Sequence, residues 1–303
     1  MAPPPVSSEA GALIRESDCI DLHVESFLWT RIFGYDLSRR HGRGLLGARL
    51  YSQVDFPRLL EAGMSGAVWS IVTNPFRRRR RRPEVFRENL ARLRRAIQAQ
   101  GATLALVSSH QEYVAARAAG KVGCWLGIQG GNALDHDLDD LARIPDNCVS
   151  RITLVHMLRS TLGSSSSPWA GKDRGLTEVG REYVQRCDQQ RILVDLAHIS
   201  RRGFFDAVQV HDKSLPLAVT HTGVNGVHAS WRNLDDEQIL AVAATGGVVG
   251  IIFHSMFLDG SLLRGCRAER IVDHMAHVIQ VAGEDHVALG SDWDGFIVTP
   301  RDM

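Results

Sequence analysis

Short apolar runs of strand length alternate along this chain with amphipathic segments of helix length. Most of these runs are bounded by glycine or polar residues, which is typical of strands buried in an α/β protein. The nine strand candidates are residues 19–25, 66–73, 103–109, 123–131, 150–156, 192–198, 217–221, 248–254 and 286–292. The main helix candidates are residues 55–62, 83–100, 110–119, 176–190, 200–211, 234–244 and 269–282.

This alternation predicts an α/β fold, a (β/α)8 TIM barrel with a parallel sheet. Nine strand candidates are one more than an eight-stranded barrel needs, and we place residues 103–109 outside it. The length of 303 residues suits one barrel domain over residues 13–303, preceded by a flexible arm over residues 1–12. Residues 27–53 are rich in glycine and arginine and are predicted to form a long loop over the barrel.

Polar side chains stand at the C-terminal ends of these strand candidates, where α/β barrels gather their catalytic groups. The residues concerned are His23, Glu25, Gln129, His156, His198, His221 and Asp292. A single histidine at a strand end is more often a hydrogen-bonded structural residue, but several on neighbouring strands favour a metal site. Imidazole and carboxylate ligands suit zinc, which can lower the pKa of bound water to about 7.

Composition restricts the other possibilities. Hydrophobic residues make up 44% of the chain, charged residues 23%, and the net charge is +1, so nothing global indicates a nucleic-acid partner. The five cysteines show no CxxC spacing, which argues against a zinc ribbon or a disulfide framework. The N-terminus carries no apolar signal region, and no segment approaches the length of a membrane span. We therefore expect a cytoplasmic protein without a membrane partner.

Six consecutive arginines, residues 77–82, raise the hypothesis of a nucleic-acid or acidic-protein partner. The basic residues continue into the helix candidate 83–100, in which Phe86, Leu90 and Leu93 recur at helical spacing. No aromatic platform accompanies the charge, so we favour a solvated loop and helix face over nucleic-acid binding.

Motifs along most of the chain resemble the membrane (renal) dipeptidase family, zinc peptidases of the amidohydrolase superfamily. The motifs are HVE at 23–25, GIQGG at 127–131, LVH ending at His156, DLAH ending at His198, THTG beginning at Thr220, the pair Arg232 and Asn233, ATGGVVG at 244–250, and GSDWDG at 290–295. The resemblance implies a barrel of the metal-dependent hydrolase type. It also implies two zinc ions, and hydrolysis of a dipeptide or a small peptide-like amide by a zinc-bound hydroxide.

The resemblance also implies a role for each site residue. His23, Glu25 and Asp292 would hold one metal ion, and His198 and His221 would hold the other. Gln129 stands at the position of the bridging carboxylate. His156 would polarise the scissile carbonyl, Asp292 would move the proton from water to the leaving amine, and Arg232 would bind the C-terminal carboxylate of the substrate.

This chain departs from the family pattern at two of these positions. Glu25 replaces an aspartate and is one methylene longer, while its charge is kept. Gln129 has a neutral amide, which cannot bridge two cations as a carboxylate does. The outcomes left open are one tight zinc ion, a second weak site, or no stable metal. The alternative function is a degenerate barrel that binds a peptide-like ligand with little hydrolysis.

The C-terminus is a third departure from the family pattern. Family members continue beyond the GSDWDG-type motif and build a last helix, whereas this chain stops at Met303. Two explanations stay open: the sequence is truncated, or the barrel closes differently without that last helix. Its absence would leave apolar surface on the barrel wall, which a homodimer could cover.

Overall fold

The computed structural model describes residues 6–42, 48, 50–262 and 265–303. Nine strands form one sheet, and every pairing in it is parallel. The strands are β1 Ile20–Val24, β2 Gly66–Val72, β3 Leu104–Leu106, β4 Val122–Gln129, β5 Val149–Thr153, β6 Leu193–Asp195, β7 Leu217–Thr222, β8 Val248–Ile251 and β9 Val287–Leu289. The helices are α1 Ser8–Glu16, α2 Phe27–Phe33, α3 Phe56–Glu61, α4 Arg82–Gln98, α5 His110–Ala118, α6 Glu178–Gln189, α7 Arg201–Val210, α8 Asp236–Ala243, α9 Ser255–Asp259 and α10 Glu269–Ala282.

Direct pairing of β2 with β4 closes the sheet into an eight-stranded barrel. These two strands run in register from Gly66 opposite Gly123 to Val72 opposite Gln129. Strand β3 pairs with β4 alone among the strands of the sheet, so it lies outside the closed barrel. The predicted (β/α)8 fold and the placement of residues 103–109 outside the barrel are both confirmed.

Close packing of the backbone requires glycine at one point near the site. A Cβ atom on Gly290 would clash with the backbone carbonyl of Thr220, which belongs to β7. The GSDWDG segment can therefore lie close to the backbone of β7, and Asp292 Oδ1 within it lies 3.6 Å from His23 Nε2.

Helix α4 shows how the apolar periodicity builds the outer layer. Phe86, Leu90, Leu93 and Ile97 fall on one face of this helix and are buried. At the start of α6 the Thr177 side chain caps the helix by accepting a hydrogen bond from Gly180 N.

Several predicted boundaries were wrong. Helix α1 begins at Ser8, so residues 8–12 of the predicted arm are helical, and α2 occupies the first part of the predicted loop 27–53. Residues 43–47 and 49 of that loop lie outside the described residues. The strands before His156, His198 and Asp292 end three residues earlier than these side chains. Residues 290–303, which follow β9, contain no helix.

Candidate metal centre

The predicted site residues come together at the C-terminal end of the barrel. His23 lies in β1, Gln129 ends β4 and His221 lies in β7. His198 and Asp292 lie just beyond β6 and β9, with positive φ angles of 65° and 62°. Left-handed backbone at a non-glycine residue is uncommon and clusters at functional sites. Here it turns the chain at the two positions where these side chains enter the site.

His23, Glu25 and Asp292 form the first half of the centre. His23 Nε2 lies 3.1 Å from Glu25 Oε1 and 3.6 Å from Asp292 Oδ1. All three side chains are buried, and one potential ligand atom from each lies within 4.8 Å of the others. The arrangement offers one nitrogen and two carboxylates to a single cation, a donor set that suits zinc and other divalent ions.

The two carboxyl groups of this half lack a full counter-charge from the protein. Burial raises the pKa of Glu25 to about 8, although Arg151 and Arg31 lower it. Burial and then the charge of Glu25 raise the pKa of Asp292 well above its usual value. Two carboxyl groups held together away from water favour a bound cation, which would keep both ionised.

His198 and His221 form the second half. The two Nε2 atoms lie 2.8 Å apart. Burial lowers the pKa of both imidazoles well below the usual value, and the charge of Arg232 adds to this effect. Both rings are therefore neutral at physiological pH, which is the state that ligates metals.

The side-chain amide of Gln129 faces His156, the candidate catalytic histidine. Its Nε2 atom lies 3.1 Å from His156 Nε2, while its Oε1 atom is buried without a hydrogen-bond partner. Burial, assisted by the charge of Arg232, lowers the pKa of His156 to about 4. His156 is thus neutral near pH 7 and accepts a hydrogen bond from the amide through Nε2, which leaves the proton on Nδ1.

Buried polar atoms without partners test whether a metal fits this arrangement. Such atoms include Gln129 Oε1, His198 Nδ1, Asp292 Oδ1 and Arg232 Nε. A buried polar group without a partner is costly, and here four of them surround one set of imidazoles and carboxylates. The donor set and its unpaired atoms fit a divalent cation together with a polar substrate.

Arg232 is almost fully buried and contacts the backbone of His221. One of its terminal nitrogens, Nη2, donates to the backbone oxygen of His221 at 2.6 Å. Burial lowers its pKa to about 10, while Asp292 acts in the opposite direction, so the guanidinium stays charged at neutral pH. Its unpaired Nε–H remains for a ligand.

The sequence-based prediction of the site did not include two charged residues of the barrel interior. Arg151 in β5 and Asp195 in β6 are buried below the histidines and pair at 3.2 Å. Asp195 also accepts hydrogen bonds from Thr153, Ala197 and Thr220. A potential ligand atom of Asp195 also lies within 4.8 Å of those of His23 and His221, but both of its carboxylate oxygens already accept hydrogen bonds, so we assign Asp195 a supporting position. The presence of both charged residues inside largely apolar strand candidates was the sequence feature that could have identified them.

The arginine segment 77–82 lies at the start of α4 and partly pairs with nearby groups. Arg79 Nε lies 3.2 Å from Asp135 Oδ1, and Arg81 Nε lies 3.0 Å from Glu84 Oε2. Arg82 Nη2 donates to the backbone oxygen of Pro75 at 2.9 Å. These contacts agree with a solvated helix face, and the absence of a nucleic-acid partner stays a prediction.

Among the described residues, no helix combines the length and apolar character that a membrane crossing requires.

The amino-acid sequence of this chain is similar to those of known peptidases. The sequence model of the family described as membrane dipeptidase, peptidase family M19, matches residues 7–303. An uncharacterized dipeptidase of Schizosaccharomyces pombe is 31% identical over 186 residues, which are 61% of this chain and 44% of that protein. The matched region therefore spans less than half of that relative.

Two solved structures share the fold and part of the sequence. A dipeptidase described as a metallopeptidase of family M19 is 26% identical with a TM-score of 0.81, and the match covers 93% of this chain and 86% of that one. A metallopeptidase from Rhodobacter sphaeroides, solved with a phosphinate mimic of the dipeptide L-Ala-D-Ala, is 25% identical with a TM-score of 0.82, and the match covers 93% of this chain and 87% of that one.

Proposed function

The chain belongs to the membrane dipeptidase family, peptidase family M19, and we propose that it is a metal-dependent dipeptidase that hydrolyses a dipeptide or a small peptide-like amide. The observation that carries this proposal is the convergence of His23, Glu25 and Asp292 with His198 and His221 at one end of the barrel. The ligand of the Rhodobacter sphaeroides relative, a dipeptide mimic, supports a dipeptide as the substrate class.

We propose zinc as the metal, bound by these five side chains, with Gln129 as a further neutral ligand. A bound zinc ion would polarise the scissile carbonyl and make a water molecule more acidic. Because Gln129 brings no charge to the position between the two halves, the proposed content is one tightly held ion, with a second ion held weakly at most.

The protein residues would then act on the substrate directly. Arg232 would bind the C-terminal carboxylate through its free N–H groups, since a guanidinium pairs well with a carboxylate. His156, neutral at pH 7, would donate its ring N–H to the oxygen of the tetrahedral intermediate. Asp292 would accept the proton of the attacking water and deliver it to the leaving amine.

Metal analysis and hydrolysis measurements on the same protein test this function. Protein purified without chelator should contain zinc and cleave dipeptides with a free C-terminal carboxylate. Amidating that carboxylate should raise KM, because Arg232 loses its partner. Near-zero zinc, together with no hydrolysis after adding zinc, manganese or cobalt, would overturn the proposal. Binding of a dipeptide without cleavage would instead identify a degenerate barrel.

A further inference from the structure

A buried guanidinium supports the centre from inside the barrel. Arg151 is 2% exposed, and Gly127 leaves room for it, since a Cβ there would come within 2.8 Å of Arg151 Nη2. Nη1 donates to Asp195 Oδ2 at 3.2 Å and to Thr153 Oγ1 at 2.5 Å. Nη2 donates to Ser70 Oγ at 2.7 Å. These contacts fix the group in place.

The same Nη2 atom lies 3.0 Å from His23 Nδ1. A guanidinium can only donate hydrogen bonds, so Nδ1 presents its lone pair and the proton of the neutral ring lies on Nε2. Nε2 in turn faces Glu25 Oε1 at 3.1 Å, which accepts that proton's hydrogen bond. A histidine that ligates a metal has the reverse arrangement, with a bare nitrogen at the metal and the other N–H donated to an acceptor.

Other acceptors near His23 Nδ1 are poorly placed. Ser70 Oγ lies 3.4 Å away and already receives Arg151, and Thr220 Oγ1 lies 3.5 Å away. Both distances exceed those of good hydrogen bonds. A proton on His23 Nδ1 would therefore face the Arg151 guanidinium and would lack a strong hydrogen-bond acceptor.

His221 provides the contrast. Its Nδ1 lies 2.9 Å from Thr220 Oγ1, whose hydroxyl donates to Asp195 Oδ2 at 2.7 Å. The hydroxyl oxygen therefore accepts from His221 Nδ1–H and leaves Nε2 bare, which is the arrangement that ligation needs. Asp195 thus prepares His221 for a metal, while its partner Arg151 opposes ligation by His23.

We propose that Arg151 is a positioning residue that holds His23 in the tautomer opposed to metal ligation and so weakens divalent-cation binding on the side of His23, Glu25 and Asp292. The inference rests on the proposed function only in taking this centre to be a metal-binding site. An ion bound through His23 Nε2 must displace that proton towards the guanidinium. Arg151 also adds positive charge beside the incoming cation.

Zinc titration of chelator-treated protein tests this proposal without any substrate. Bound zinc per chain and its affinity are measured by competition with a chromophoric chelator. Arg151→Met should bind the weaker zinc ion roughly 10- to 100-fold more tightly than the native protein. Arg151→Lys keeps a cation that cannot accept a hydrogen bond, and should stay near the native affinity.

A matched variant has the opposite expected sign. Thr220→Val preserves side-chain volume and removes the acceptor of His221 Nδ1–H, so zinc affinity should fall by roughly 10-fold. General damage to the barrel would lower affinity in both variants. An Arg151→Met protein that keeps its circular dichroism spectrum but binds zinc no more tightly than the native protein would overturn the proposal.

Nitrogen NMR of the native, metal-free protein gives a readout that does not depend on a variant folding. His23 should show a protonated Nε2 and a bare Nδ1, and His221 the reverse, with signals assigned from His23→Asn and His221→Asn spectra. A protonated Nδ1 on His23 would contradict the inference. Loss of hydrolysis alone would count against the dipeptidase function and leave these results standing.

Discussion

The two halves of the candidate metal centre differ in what each offers to a cation. The half with His23, Glu25 and Asp292 is rich in negative charge, but Arg151 stands behind its histidine. The half with His198 and His221 has neutral imidazoles, one of them backed by a threonine, but no carboxylate of its own. The negative charge and the hydrogen bonds that orient the imidazoles thus come from different strands. The affinity of the centre for a metal ion therefore depends on more than its ligand residues.

Removing charge from the first half should have the largest effect. Asp292→Asn keeps the shape of the side chain but removes both a metal ligand and the proposed base, so kcat for dipeptide hydrolysis should fall about 10²- to 10⁴-fold. The measurement is the initial rate with zinc present at saturation. Asp285→Asn, an exposed carboxylate outside the site, is the matched control and should keep native activity. Comparable rates in both variants would show that Asp292 has no such role.

Adding charge between the halves should have the next largest effect. Gln129→Glu supplies a carboxylate at the end of β4, so zinc content should rise towards about two ions per chain because affinity depends on ligand charge. Metal analysis after dialysis against zinc-buffered solution measures this content. Gln129→Met, which has similar volume and no polar atoms, should not raise it. An unchanged content in Gln129→Glu would mean that another group links the halves.

The pH dependence of stability should give a smaller effect that separates the halves. The raised pKa of Glu25, about 8 against an ordinary 4.5, means that the folded metal-free protein binds an extra proton between these values. Its free energy of unfolding should therefore fall as pH rises towards 8. The depressed pKa values of the buried histidines act oppositely, so their stabilisation is lost as pH falls below 6.5.

Thermal unfolding of chelator-treated protein between pH 6.5 and about 8.5 measures the contribution of the carboxyl groups to stability separately from that of the histidines. Tm should fall as pH rises, and the slope should be weaker in Glu25→Gln. Saturating zinc should weaken it too, because the cation keeps the carboxylates ionised in the folded state. A Tm that rises with pH over this interval in the metal-free protein would contradict the assignment.

Much of the fold followed from local patterns. Apolar runs bounded by polar residues identified all nine strands, and helical periodicity identified the buried face of α4. Boundaries were less predictable, because residues such as Leu196 and Ala197 are apolar and buried yet lie beyond the end of β6. Burial, rather than strand geometry, explains their apolar character.

The amino-acid sequence was enough to predict the barrel and the set of polar side chains at its C-terminal end, since the succession of strands and helices and the polar residues after the strands are visible in local sequence. It also determined that Gln129 brings no charge to the centre. The folded structure was needed to show which nitrogen of His23 and of His221 is free, because that depends on Arg151, Thr220 and Asp195, which come from three different strands. Hydrogen bonding of an imidazole is set by its neighbours in space, and Arg151 and Asp195 are distant in sequence from the histidines His23 and His221 that they influence.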